Sequence, residues 1–169
     1  MIISRAILAA GLVALSVNTV MAEDAPACAS FAWSVARERA AFGVPDLPML
    51  ASGSALSGDA GAAQLTLKPV AGIALPVPSE KAVKPDTFAS FVTATVPVAG
   101  TYQVTLSNEA WIDVSQDGRS TLKPTAHSGK AGCPDVRKSV RFMLDVGAVT
   151  IEISRASSPQ IKLDFLRAE

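Results

Sequence analysis

The sequence predicts a mainly β fold: an antiparallel β-sandwich or jelly-roll-like domain with one short N-terminal helix, preceded by a signal-peptide helix. Three observations carry that prediction. From residue 62 onward Val, Ile, Thr, Phe and Tyr gather in short runs, several alternating apolar with polar, which is the period of a half-buried strand. Eleven Gly and eleven Pro, nearly all after residue 43, separate those runs at roughly the eight-to-twelve-residue spacing of a sandwich. Only one segment, residues 30–42, has a convincing helical pattern.

Residues 1–22 read as an export signal. Arg5 gives a charged start, residues 6–17 form an apolar run, and Val20, Met21 and Ala22 make a small-residue cleavage site. The apolar run is shorter than the roughly 18 residues a bilayer span needs, so the expectation is a periplasmic or secreted protein without a stable membrane span, cleaved near Ala22. Residues 23–61 are expected to hold the helix and a connector, and residues 62–169 the sandwich. Without Arg5 the 15 basic residues become 14 against 15 acidic ones, a balance that argues against nucleic acid as a partner.

The helix is expected over residues 30–42, with Ser30 as its cap and Gly43 followed by Pro45 as its stop. Phe31, Val35 and Phe42 fall on one side, and Arg37, Glu38 and Arg39 on the other. Residues 43–61 lack periodicity and read as a mobile connector. Strands are expected over residues 64–70, 87–96, 100–107, 110–116, 136–146, 148–154 and 160–166, with a loose Pro-rich segment at 74–85. Val140, Phe142, Leu144 and Val146 should form a dry face against Ser139, Arg141, Met143 and Asp145. Val149, Ile151 and Ile153 should do the same against Thr150, Glu152 and Ser154.

Cys28 and Cys133 are the only cysteines. An even count in an exported chain makes one disulfide the default. Neither a Cys-x-x-Cys pair nor an adjacent base suggests redox or nucleophilic chemistry.

The stretch from residue 88 to 166 resembles the small β-sandwich modules called pre-peptidase C-terminal domains. The likeness lies in Val-Pro-Val-Ala-Gly-Thr-Tyr-Gln-Val-Thr-Leu (96–106), then Trp111-Ile112-Asp113-Val114 leading to Asp117-Gly118, then a late hairpin over 140–153. The resemblance implies a sandwich and a non-catalytic module. The whole chain also resembles small exported bacterial proteins, some named as homogentisate dioxygenases. Such a non-haem iron centre needs two histidines and a carboxylate, and this chain has one histidine. No catalytic constellation or cofactor motif is expected.

The strongest local anomaly runs from residue 119 to 141. Arg119, Lys123, His127, Lys130, Arg137, Lys138 and Arg141 face a single acid, Asp135, and residues 123–135 read as a long irregular loop. Long loops in small domains often carry function, so this basic loop is the expected contact surface for an envelope protein or an anionic ligand. Trp111 is a core anchor or a stacking residue beside it. Glu109, Asp113 and Asp117 form a weaker alternative, a calcium-type oxygen cluster, although Asp117-Gly118 is by itself a hairpin-turn dipeptide.

Overall fold

The computed structural model describes residues 26–57 and 61–169; the expected signal segment lies outside them. The strands, in chain order, are β1 (Met49–Leu50), β2 (Ala62–Thr66), β3 (Lys68–Pro69), β4 (Phe88–Val96), β5 (Gly100–Leu106), β6 (Trp111–Ser115), β7 (Ala126–Gly129), β8 (Lys138–Leu144), β9 (Gly147–Ala156) and β10 (Gln160–Arg167). They form a six-stranded sheet in the order β1-β2-β10-β5-β8-β7 and a four-stranded sheet in the order β3-β4-β9-β6. Every pairing is antiparallel except β1 with β2. The expected β-sandwich is the observed fold.

The inner faces make the core. Val92, Val96, Ile112, Val114, Ile151 and Ile153 of the small sheet meet Leu65, Val104, Leu106, Phe142, Leu144 and Leu163 of the large one, all in one buried cluster. Alternation dictates this side: each strand sends every second residue inward. The expected strand at 64–70 divides in two, because the chain leaves the large sheet after Thr66 and joins the small one at Lys68.

The outer faces depart from expectation. Ser139, Glu152 and Ser154, expected on wet faces, are buried, whereas Val146, expected on a dry one, is 65% exposed in the turn before β9. Covers over both sheets bury the three polar residues, and Val146 is exposed because β8 ends at Leu144 and leaves it in the turn. The N-terminal segment lies on the large sheet, where Trp33 Nε1 donates to Ser139 Oγ (3.2 Å) and Lys162 Nζ to the Phe42 carbonyl (2.6 Å). Phe31, Val35, Phe42 and Val136 close a second apolar cluster there with the two cysteines. Residues 74–85, expected to be loose, lie as a strap over the small sheet, with Val77 buried.

The single helix expected at 30–42 is two short ones, α1 (Pro26–Ala29) and α2 (Ala36–Phe42). Ser30 does not cap α2; its hydroxyl donates to the Ala27 carbonyl and closes α1. Between the helices the Ala32 N–H goes to Ser128 Oγ and Trp33 to Ser139, so contacts with the sheet replace helical ones. The connector is also more ordered in its bonding than expected. The Gln64 N–H donates to Pro48 O, and the Gly53 and Leu56 N–H groups to Phe91 and Thr93 carbonyls, which ties residues 48–56 to both sheets. The expected disulfide joins Cys28 to Cys133, with Cα atoms 4.7 Å apart. No helix among the described residues is long and apolar enough to cross a membrane.

Candidate functional site

The site begins with the alternation of β6. Ile112 and Val114 enter the core, so Trp111, Asp113 and Ser115 point to the outer face. Asp113 stands opposite Glu152 of β9, which places two carboxylates side by side. Both are buried under the strap. The Val77 N–H donates to Glu152 Oε1 (2.7 Å), the Ser79 hydroxyl to Asp113 Oδ2 (2.6 Å), and Trp111 Nε1 to Asp113 Oδ1 (3.0 Å). Glu152 Oε2 and Ser154 Oγ have no hydrogen-bond partner. Burial pushes the Glu152 carboxyl above its ordinary range, and the neighbouring Asp113 charge adds to that, against the Val77 N–H.

Asp113 thereby fixes the indole of Trp111, and the indole gathers cations. Lys81 Nζ of the strap and Lys138 Nζ of β8 lie 5.3 and 5.0 Å from its ring centre, within cation–π range. Lys138 comes from the large sheet, on the same row as the buried Val140 and Phe142, as the first residue of β8. Its ammonium donates to the Ala110 carbonyl (3.0 Å) and stands 3.8 Å from Glu109, which Arg137 holds at 2.7 Å. Burial pulls the Lys138 pKa down, and Glu109 opposes that shift.

Beside Trp111 is a cleft of about 340 Å³ whose walls carry Lys84, Lys138, Arg155, Glu109, Thr87 and Ser157. Arg155 reaches that wall through a bulge. Phe88 pairs with Ala156 and Ser90 with Ile153, so Ser154 and Arg155 together oppose Ala89 alone. Arg155 takes a φ of 58° there, the left-handed region that favours glycine.

The basic residues expected to act together are divided. Arg137, Lys138 and Trp111 converge on Glu109 and the cleft. Arg119 and Lys123 are exposed on the crossing from β6 to β7. His127 is exposed on β7, and Lys130 is exposed in the turn after it, its N–H bonded to Arg137 O. Arg141 faces the N-terminal cover, 4.2 Å from the Trp33 ring centre and bonded to Gln103. The long loop is partly regular, since residues 126–129 form β7. The three acidic residues are likewise separately engaged. Asp117 accepts from the Ser120 and Arg119 N–H groups and the Ser120 and Ser115 hydroxyls, with Ser120 first among the donors that hold its carboxyl far below the usual range. It serves a turn with Gly118 at φ 66°, but that turn starts a crossing between sheets and not a hairpin. No group of three or more His, Cys, Asp or Glu poised for a metal occurs among the described residues.

Lys81, Lys84, Arg155 and Ser157 were not legible as site residues. Lys81 and Lys84 sit in the Pro-rich segment, whose docking nothing local announces. The one available signal at Arg155 is a charge that interrupts the apolar end of a strand.

The molecule is a two-sheet β-sandwich with both outer faces covered and a cationic cleft at the end where β4, β6 and β8 begin and β9 finishes. In fold it resembles a pre-peptidase C-terminal domain: a solved structure of that domain from the collagenase of Bacillus anthracis matches with a TM-score of 0.40 and 12% identity, over 72% of this chain and 99% of that one. No protein-family model matches the chain, and no curated protein sequence does.

Proposed function

We propose that the chain is an exported, non-catalytic binding module whose ligand is a small anion-bearing molecule seated in the cleft beside Trp111. The observation that carries this reading is that Lys84, Lys138 and Arg155 line one cleft with a half-exposed tryptophan, and that the one acid in that lining, Glu109, is already paired with Arg137. A cleft of about 340 Å³ is small for a protein face and within the range of small-ligand sites. The disulfide fits an oxidising compartment, periplasmic or extracellular.

Titration of the folded protein with inorganic phosphate and sulfate, followed through the Trp111 indole resonance, is the test. Saturable binding is expected, with a matching rise in melting temperature by mass action. Lys84→Glu should abolish it and Lys130→Glu should leave it intact. Loss with Lys130→Glu alone would place the contact on the basic loop and end the cleft reading.

A further inference from the structure

We infer that Arg155 is the specificity-determining residue of this cleft, and that it selects a tetrahedral dianionic group, phosphate or sulfate, over a carboxylate. The inference rests on the anion-binding reading above and adds to it a residue and a ligand class.

The argument starts from backbone geometry. A bulge bends its strand and re-aims a side chain, and its left-handed position is ordinarily held by glycine. Here the position carries arginine at a φ of 58°. A side chain with a Cβ is disfavoured there, so the arrangement lowers stability relative to glycine. Strain of this kind is ordinarily offset by an interaction the residue makes within the fold. Arg155 makes none: its guanidinium has no hydrogen bond or ion pair among the described residues, and the residue is exposed. What the bulge does accomplish is to place Arg155 on the cleft wall with Lys84 and Lys138. No offsetting partner lies among the described residues, and an anion in the cleft would supply one.

The donors define that partner. The guanidinium is a planar fork that matches two oxygens of a phosphate or sulfate at once, while Lys84 and Lys138 act as point charges. Lys138 donates to the Ala110 carbonyl and stands 3.8 Å from Glu109, so it offers a ligand its charge and at most one further proton. Ser157 adds a hydroxyl. Thr87 does not, because its hydroxyl already donates to the Lys84 carbonyl (2.5 Å). With Glu109 held by Arg137 and Asp113 acting on Lys138, the charges left without an acidic partner are those of Lys84 and Arg155, and two such charges suit a dianion better than a monoanion.

Arg155→Gly separates binding from folding. It should raise the melting temperature by a few degrees, since glycine relieves the left-handed backbone, while weakening phosphate binding by at least about tenfold. Arg155→Lys keeps the charge without the fork, and should bring phosphate affinity down toward that of acetate. The wild type is titrated with inorganic phosphate, inorganic sulfate, acetate, and glucose 6-phosphate beside glucose; a gain for the ester over inorganic phosphate identifies a phosphorylated molecule, and equal affinity identifies the free ion. If Arg155→Gly binds phosphate as the wild type does while Lys84→Glu does not, the role of Arg155 is overturned and the cleft reading stands. If no anion binds the wild type, both fall.

Discussion

At the scale of single residues, the polar groups buried beneath the covers have the sharpest consequences. Asp164 of β10 is buried, neither of its oxygens has a hydrogen-bond partner, and its carboxyl is pushed up to about 6, first by burial and then by the Glu38 charge beside it. Glu38 itself accepts from the Gln103 amide under α2. Between the ordinary carboxylate range and about pH 6 the folded state binds the Asp164 proton and the unfolded state has released it, so stability falls as pH rises through that window. Asp164→Asn should flatten the fall, by on the order of 1–3 kcal/mol at pH 7. Urea midpoints from pH 4 to 7 for both proteins measure it, and parallel curves would refute it. Glu152 shifts in the same direction, so a residual slope is expected in the variant. Gly61 gives a second prediction. A Cβ there would lie 2.5 Å from Asp164 Oδ1 and 2.7 Å from the Phe165 carbonyl, which is backbone and cannot turn away. Gly61→Ala should cost roughly 1–3 kcal/mol by overpacking, read as a lowered denaturation midpoint.

At the scale of elements, the strap is held by few contacts, each identifiable. The Val77 N–H and the Ser79 hydroxyl bind the two carboxylates of β9 and β6. Glu152→Ala removes the acceptor of the Val77 N–H, whereas Glu152→Gln keeps an oxygen there and removes a buried charge. The Val77 amide should exchange at least about tenfold faster in the alanine variant and stay protected in the glutamine one. Equal exchange in both would mean that the strap is held by packing alone. Strand alternation was legible in the sequence because it reports which residues face the core: Ile151, Ile153, Phe142 and Leu144 follow it. It does not report what covers the other face, so Glu152 and Ser139 read as solvated. The helix departs from its sequence pattern for a related reason. Residues 30–35 have helical composition, but Trp33 and Ala32 find partners on β7 and β8, and those contacts override local preference. β7, with the sequence Ala-His-Ser-Gly, has no apolar alternation, and only pairing with β8 makes it a strand. Of the cleft, Trp111, Arg137 and Lys138 were visible as a basic and aromatic neighbourhood; Lys84 and Arg155 arrive through the strap and a bulge, which no local pattern encodes.

At the scale of the whole molecule, one covalent bond joins the N-terminal cover to the turn between β7 and β8. Its residues are 105 apart, and a loop of that size contributes about 4.7 kcal/mol in the chain-entropy model, an upper figure. Cys28→Ser with Cys133→Ser should lower stability by roughly 3–5 kcal/mol while far-ultraviolet circular dichroism keeps its β signature, because the inter-sheet core contains neither cysteine. Loss of the β signature under conditions where the native protein is folded would show that the cover is needed for the sandwich itself. The order of the large sheet has a further consequence, in time. β10 is the last of the described strands in chain order, yet it lies between β2 and β5. Both neighbours belong to the loop that the disulfide closes. During synthesis, every other described strand can emerge, and the bridge can form, while the sheet is still two halves with open edges. Residues 160–167 must then slot into a ring already closed. The interval before they do is when this chain is most exposed to pairing with a neighbour.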